Sequence, residues 1–312
     1  MERLSYEEIK EKSNGTKVQL EGYISAFNFE TSKKGVKSIT GTIHFGKEMP
    51  FRVWTGKLYD EIKDGLSQGV YIIDATVNIY NESMSLILDK LEWSSNQDLS
   101  CFLAKNYNKE ELWNKMVGYA KELTPKGRKV FKELMLSNDF SDEAKNSKLF
   151  LTATASVTHH DACISGLLAH TVKVTNIALT LYEQYPKLKS RINKDVLILG
   201  CIFHDITKMM EYENFSMSGV GELCSHLSLN VEFLMLHRDL IVDELGTEAY
   251  YRLESVLTQH HGQYGDRPRT FEAYLVHKAD MLEATLQGVE ESIEEDTGAT
   301  NIRDGEMYLR LY

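Results

Sequence analysis

Hydrophobic and polar positions alternate through much of the first hundred residues. The segments with this pattern, which are rich in β-branched and aromatic residues, are KVQLEGYISAFNF, SITGTIHF, MPFRVWTG, GVYIIDATVNIY and MSLILDKLEW. Such alternation predicts strands that bury one face. The segment TGKLYDEIKDG, between the third and fourth strands, predicts a short helix. Five short strands with this single helical insertion predict an OB-type β-barrel.

From about residue 108 the hydrophobic positions follow a helical period. In KEELWNKMVGYAKELT they lie on one face of a helix that Pro125 ends, and GRKVFKELMLS predicts a second helix. Nearly everything after SKLFLTATASVTHH, apart from loops, is also predicted to be helical. We therefore expect a multidomain α and β protein. It has a barrel over residues 1–97, a helical linker region over 98–148 and an all-α domain over 149–312.

Composition and charge restrict the functions that this chain can have. A formal net charge of −11 argues against indiscriminate binding to nucleic acid, because a phosphate polymer is normally met by a basic surface. A narrow cleft charged by metal ions remains compatible with it. The opening segment MERLSYEEIKEKSNG is too polar for a signal peptide, and no apolar run approaches the roughly 20 residues of a membrane span. The four cysteines lack C-x-x-C spacing, so we expect a cytoplasmic protein without membrane attachment.

Histidine and aspartate recur in the apolar helices of the second half of the chain. They occur in the order His170, His204-Asp205, His226, His260-His261 and Asp280. A single inward histidine is usually a core residue that has found a hydrogen-bond partner. An unpaired buried carboxylate, however, costs several kcal/mol, so the charge of Asp205 needs compensation. A divalent cation supplies it, because imidazole and carboxylate are ligands for Mn, Fe, Co, Ni and Zn.

These segments resemble a known family. HHDACISGLLAHT, FHDITK, TQHHG and HKADMLEA are similar to motifs of the HD-domain metal-dependent phosphohydrolases. The closer resemblance is to the YhaM-type 3′→5′ exoribonucleases, which join an N-terminal OB-fold to an HD domain. The resemblance covers nearly the whole chain, including the order of the domains. One departure is Thr207, which stands where the second motif commonly has glycine and is expected to crowd the turn beside the site.

The resemblance implies which residues hold metal. His170, His204, Asp205 and Asp280 match the core ligands, and His226 and His260 match the extra histidines that complete a second metal position in multinuclear members. We therefore expect two divalent ions, with Mn as the first expectation and Co, Ni, Fe or Mg as alternatives. Asp205 is also expected to be catalytic.

Other residues are candidates for binding substrate. Lys208 follows Asp205 by three positions, so it is expected to share its helical face and reach a phosphate oxygen. His159, His160 and His261 resemble residues near the cleft that hydrogen-bond phosphate, although a structural role is equally compatible with each. In the barrel, the aromatic residues Phe45, Phe51 and Trp54 are candidates for base stacking, and Lys33, Lys34 and Lys37 for phosphate contacts. The alternative is that the aromatic side chains are barrel core.

The expected function is a metal-dependent 3′→5′ exonuclease. It would hydrolyse single-stranded RNA, with single-stranded DNA as a further candidate substrate, to nucleoside 5′-monophosphates. One alternative is a phosphohydrolase for a small cyclic or signalling nucleotide. Another is a non-catalytic single-strand-binding protein with a vestigial HD site. Whether the chain forms a homo-oligomer is left open by the sequence.

Overall fold

A computed structural model of the chain describes residues 3–81, 83–103, 107–156, 163–262, 266–294, 300–304 and 307–311. The chain divides into two compact units. The first comprises residues 1–106 with 214–216, and the second comprises 107–213 with 217–312. No helix in the described ranges combines the length and the apolar character that a membrane span requires.

The first unit is a closed five-stranded barrel. Its elements are α1 (Tyr6–Lys10), β1 (Lys17–Thr31), β2 (Lys37–His44), β3 (Glu48–Trp54), α2 (Lys57–Ile62), β4 (Gly69–Tyr80) and β5 (Ser83–Trp93), with a 3-10 turn at Leu99–Cys101. The strand order around the barrel is β1-β2-β3-β5-β4, and β1 closes it by pairing with β4. All neighbouring pairs are antiparallel except β3 and β5, which are parallel. The predicted five strands and their helical insertion are confirmed.

The alternating pattern of the strands fills the barrel interior. Buried positions of β1 such as Val18 and Leu20 face buried positions of β4 and β5 such as Ile73 and Leu86. The polar residues between them are at least partly exposed, as expected for strands with one face in a core. One apolar core therefore accounts for the fold of the first unit.

The second unit is mainly helical. Its helices are α3 (Lys109–Ala120), α4 (Pro125–Leu136), α5 (Asn146–Phe150), α6 (Gly166–Gln184), α7 (Pro186–Lys189), α8 (Lys194–Phe203), α9 (Lys208–Glu211), α10 (His226–Leu236), α11 (Arg238–Leu245), α12 (Thr247–Gln259) and α13 (Phe271–Glu294). Two short hairpins add strand to this half of the chain, β6 (Tyr212–Glu213) with β7 (Ser216–Met217) and β8 (Thr300–Asp304) with β9 (Met307–Leu311). The barrel followed by a helical region confirms the predicted fold class, with the hairpins as an addition to the all-α expectation.

Local signals set the ends of the helices that matter for the site. The Asn108 side chain accepts hydrogen bonds from the first turn of α3, and the Thr124 side chain caps α4, where Pro125 occupies the first turn. The Asn193 side chain caps α8 in the same way. Because α8 is buried along nearly its whole length and ends at Phe203, the next residues, His204 and Asp205, emerge inside the unit.

Helix packing brings the remaining polar residues to the same place. Helix α6 packs against α8 and α13, and α12 packs against α8, α10 and α13. The five helices share one apolar core. The segments that carry histidine and aspartate therefore converge, although they are far apart in sequence.

Candidate metal centre

A first cluster of side chains that could hold a metal ion joins α6, the end of α8 and α13. The Nε2 atom of His170 lies 3.2 Å from Nε2 of His204, 3.4 Å from Oδ2 of Asp205 and 3.3 Å from Oδ1 of Asp280. The Nε2 atom of His204 is also 3.4 Å from Oδ2 of Asp205. All four residues are buried. Two imidazole nitrogens and two carboxylates thus point at one small volume.

A second cluster adjoins the first and shares Asp205 with it. Oδ1 of Asp205 lies 3.4 Å from Nε2 of His226 and 3.3 Å from Nε2 of His260. His261 joins this group, because its Nε2 is 2.8 Å from that of His226. One Asp205 oxygen faces each cluster, which is the arrangement of a carboxylate that bridges two metal ions.

Backbone carbonyl groups orient two of the histidine rings. Nδ1 of His204 is 2.8 Å from the carbonyl oxygen of Cys201, and Nδ1 of His260 is 3.3 Å from that of Val256. A carbonyl oxygen only accepts hydrogen bonds, so Nδ1 is the donor in both rings. In the neutral imidazole, Nε2 then carries the lone pair and faces the cluster.

Carboxylates orient two further rings. Oε2 of Glu283 is 2.7 Å from Nδ1 of His170, and Oε2 of Glu211 is 2.8 Å from Nδ1 of His226. Such a carboxylate fixes the tautomer and raises the basicity of the other ring nitrogen. Both glutamates are buried. Each cluster therefore contains one histidine backed by a carboxylate and one backed by a backbone carbonyl.

The electrostatics of the site keep the carboxylates charged. Burial opposes ionisation, but the Lys208 charge and the neighbouring histidines hold the pKa of Asp205 well below its ordinary value. Burial is likewise outweighed at Asp280, whose pKa is lowered by its hydrogen bond with His170 and by the histidine charges. Burial lowers the pKa of His204 to about 3. The site thus offers ionised carboxylates and at least one neutral imidazole, the forms that bind a cation.

His170 and His261 differ in their electrostatic environment. Burial opposes protonation of His170, but its hydrogen bonds to Asp205, Asp280 and Glu283 raise its pKa well above the ordinary value of 6.5. Burial lowers the pKa of His261 to about 4. The negative charge that favours a cation is therefore concentrated around His170.

Two buried atoms indicate that the residues present fit a metal ion. Oδ1 of Asp205 and Nε2 of His260 are both buried and have no hydrogen-bond partner, although they lie 3.3 Å apart. In the neutral form of His260 with Nδ1 as the donor, these two atoms face each other as acceptors, an unfavourable arrangement that a cation between them would relieve. A mixed imidazole and carboxylate set suits Mn, Fe, Co, Ni or Zn.

Lys208 is adjacent to the first cluster, but it lies on a different helix from the one expected. Helix α8 ends at Phe203, residues 204–207 form turns, and Lys208 begins α9. The turn hydrogen bonds run from Ile206 N–H to the Phe203 carbonyl and from Lys208 N–H to the Asp205 carbonyl. The prediction of one continuous helical face was therefore wrong. The proximity holds nevertheless, because Nζ of Lys208 lies 2.7 Å from Oδ2 of Asp205.

The histidines and loop lysines that were predicted to contact phosphate lie in different parts of the chain. His159 and His160 lie outside the described residues. His261 was predicted to contact phosphate, and the structure groups it with the metal-binding side chains of the second cluster. In the loop between β1 and β2, Lys33 and Lys34 are exposed.

The barrel aromatic residues divide into core and surface. Phe45 and Phe51 are 8% and 2% exposed and belong to the barrel core, so neither ring is available to stack on a base. For these two residues the core alternative is the correct one. Trp54 is 47% exposed, and the Arg52 guanidinium carbon lies 4.8 Å from its ring centroid. Of the three predicted rings, Trp54 alone is accessible to a ligand.

Glu211 and Glu283 are site residues that the sequence analysis missed. Glu283 follows Asp280 by three positions on an otherwise largely apolar helix, so its carboxylate shares a helical face with that ligand. Glu211 similarly lies three positions after Lys208. Both glutamates stand among largely apolar neighbours, the same signal that marked Asp205.

Comparison with known families agrees with this geometry. Residues 167–285 match the HD domain, and the range contains every residue of the two clusters. This part of the second unit is therefore similar to the HD domain, a class of domain that implies binding of a divalent metal.

Most of the chain is similar to individual bacterial proteins. The 3'-5' exoribonuclease YhaM of Listeria welshimeri is 27% identical over 274 residues, covering 80% of this chain and 82% of that protein. The protein of the same name from Bacillus licheniformis is 24% identical over 274 residues, covering 84% and 80%. The resemblance predicted from the sequence is thus confirmed.

Among solved structures, the aspartyl tRNA synthetase from Entamoeba histolytica matches with a TM-score of 0.28 at 8% identity, over 62% of this chain and 38% of that one. A match at that TM-score carries no argument about fold or function.

Proposed function

We propose that this protein is a metal-dependent 3′→5′ exonuclease that hydrolyses single-stranded RNA to nucleoside 5′-monophosphates. The observation that carries the proposal is the position of Asp205, whose two carboxylate oxygens face two adjacent clusters of metal-binding side chains. The similarity to proteins named 3'-5' exoribonuclease supports the polymer as substrate and the direction of cleavage. A metal-dependent phosphodiesterase is the enzyme class that the HD domain and these relatives have in common.

The ligand sets of the two proposed metal positions follow from the distances. His170, His204 and Asp280 would hold one ion, His226 and His260 the other, with His261 as a further ligand of the second. Asp205 would bridge them. When bound, divalent metal lowers the pKa of a coordinated water and polarises a phosphoryl oxygen. We propose Mn²⁺ as the ion, because the mixed nitrogen and oxygen set suits it.

Lys208 supplies a positive charge beside the bridging carboxylate. Its side chain is 13% exposed, and its Nζ is 2.7 Å from Oδ2 of Asp205. Burial opposes the charge, but the Asp205 carboxylate keeps the pKa of Lys208 above its ordinary value. The ammonium group is therefore always charged at neutral pH. We propose that it donates a hydrogen bond to a phosphoryl oxygen as negative charge develops there.

The barrel is proposed to hold the single strand. Trp54 offers an exposed ring on which a base stacks, and Lys33 and Lys34 in the neighbouring loop offer charges for phosphates. Binding through stacking and a few cations is compatible with a formal net charge of −11. All four cysteines are free, which suits a reduced compartment and supports a cytoplasmic location.

The decisive experiment follows the degradation of 5′-labelled single-stranded RNA in Mn²⁺ by wild type and Asp205→Asn. Wild type should produce a descending ladder, because removal from the 3′ end leaves the label on ever shorter products. Asp205→Asn removes the bridging charge while keeping the size of the side chain, and it should lower the rate by about 10³-fold or more, on the scale of losing a principal catalytic group.

The control for this experiment is Asp243→Asn, an exposed carboxylate on α11 of the same unit, which should degrade RNA as wild type does. Wild-type activity in Asp205→Asn would overturn the proposed centre. A wild type that leaves RNA intact but hydrolyses a cyclic or signalling nucleotide would instead favour the small-nucleotide alternative.

A further inference from the structure

Thr207 makes a buried contact that its place in the sequence does not reveal. It follows the His204-Asp205 pair and is 0% exposed. Its hydroxyl oxygen is 2.9 Å from the carbonyl oxygen of His226 and 2.9 Å from Oδ1 of Asn230. Both acceptors belong to α10, and the single hydroxyl proton is shared between them or donated to one of them. Thr207 therefore ties the turn after α8 to the helix that begins with a ligand of the second cluster.

Asn230 extends this connection to the other ligand-bearing segments. It is 0% exposed and lies one turn after His226 on α10. Its Nδ2 group donates to the carbonyl oxygen of His204 at 2.6 Å and to that of Leu257 at 2.9 Å. Leu257 lies three positions before His260, in the last turn of α12. The amide thus joins the backbone of segments that carry ligands of both clusters.

We propose that Thr207 and Asn230 form a positioning pair that fixes the distance between the two metal positions. In this arrangement Thr207 and Asn230 hold the ligands through backbone carbonyl groups of the ligand-bearing segments, and in the described contacts neither side chain is itself a ligand. This inference rests on the proposed metal centre. The proposal also gives Thr207 a role. Its hydroxyl makes a hydrogen bond to α10 that glycine, common at this position in related motifs, cannot make.

The pair acts on the second cluster more than on the first. His170 and Asp280 lie on α6 and α13, whereas the hydrogen bonds of the pair end on residues 204 and 226 and in the last turn of α12. Without the Thr207 hydroxyl, Oδ1 of Asn230 loses its partner, and α10 loses a tie to the turn that carries Asp205. A small displacement of ligands changes metal affinity strongly, because coordination requires short, directed bonds.

The test compares Mn²⁺ binding to wild type, Thr207→Val and Thr207→Ser by titration calorimetry and by electron paramagnetic resonance. Valine keeps the size of threonine but cannot donate, and serine retains the hydroxyl. Wild type should bind two ions with the signal of a magnetically coupled pair. Thr207→Val should bind the second ion about 10- to 100-fold more weakly and give the signal of an isolated ion at low loading. Thr207→Ser should restore the coupled signal.

Controls separate positioning from general destabilisation. Thr175→Val removes another buried hydroxyl, which donates to the Thr171 carbonyl at 2.7 Å on α6, and it should leave the binding of both ions unchanged. If Thr207→Val does not fold, Thr207→Ala removes the hydroxyl without putting a methyl group in its place. It should show the same weaker binding of the second ion. Equal affinity for the second ion in wild type and the hydroxyl-free variant would overturn this inference alone. A wild type that binds no Mn²⁺ would overturn the proposed centre together with it.

Discussion

At the residue scale, the site is organised by the hydrogen bonds that the histidines make away from the clusters. Four rings, those of His170, His204, His226 and His260, bond through Nδ1 to a carboxylate or a carbonyl and turn Nε2 inward. Ring orientation is therefore decided by groups outside the ligand set. Among those groups the two carboxylates have the larger effect, because they add negative charge next to the ligand.

Removing the charge behind His170 should weaken metal binding. Glu283→Gln keeps the shape of the side chain, but it removes the charge that polarises His170 and pairs with Lys173 at 3.3 Å. We expect Mn²⁺ affinity to fall about 10- to 100-fold, as measured by titration calorimetry. Glu290→Gln, an exposed position on the same helix, is the matched control and should bind as wild type does. Unchanged affinity in Glu283→Gln would show that this carboxylate does not tune the ligand.

At the element scale, the close packing of α8 against α12 positions both clusters. Gly200 on α8 faces Val256 on α12, and a Cβ atom added to Gly200 would lie 2.8 Å from a methyl carbon of that valine. Helix α8 ends directly before His204, and α12 ends directly before His260. The distance between these helices therefore affects ligands of both clusters.

Replacing this glycine should destabilise the protein despite the higher helix propensity of alanine. Gly200→Ala gains about 1 kcal/mol of propensity, but overpacking against the stiff Val256 typically costs about 1–3 kcal/mol. We expect a lower Tm in thermal denaturation. Gly118→Ala on α3 is the control, because nothing lies within 4 Å of the added Cβ, and it should raise Tm slightly. A rise in Tm for both variants would contradict the proposed close packing.

At the scale of the whole molecule, the chain combines a closed barrel with a helical unit in which residues 167–285 match the HD domain. The barrel has its own core, and the metal-binding clusters lie within the helical unit. The two proposed roles, holding a strand and hydrolysing it, can therefore be separated by substrate size. Under this proposal, a small phosphodiester would need only the clusters, whereas a polymer would also use the barrel.

Loss of Trp54, the exposed tryptophan at the end of β3, should affect long substrates only. Trp54→Ala removes a stacking surface worth about 1–3 kcal/mol per base, so the KM for single-stranded RNA should rise about 5- to 150-fold. Steady-state hydrolysis of bis(p-nitrophenyl) phosphate should be unchanged. Tyr80→Ala, which removes a ring that is 72% exposed at the end of β4, is the control for a general loss of surface aromatic area. Equal effects of Trp54→Ala on both substrates would argue against a role in strand binding.

The sequence alone determined the barrel strands, the main helices, and the histidine and aspartate residues of the site. Strands and helices were predictable because alternation, helical period and capping residues such as Asn108 and Asn193 act between positions close in the chain. Histidine and aspartate in apolar helices indicated a shared metal site for the same reason, since each stands out against its own neighbours.

Only the tertiary structure decided how these residues are arranged. It placed His261 with the second cluster, assigned one Asp205 oxygen to each cluster, and put Glu283 behind His170, which is 113 positions away. It also buried Phe45 and left Trp54 exposed, although both occur in or beside predicted strands. Such distinctions depend on the packing of segments that are remote in sequence, and no pattern of neighbouring residues encodes which face of one element meets which face of another.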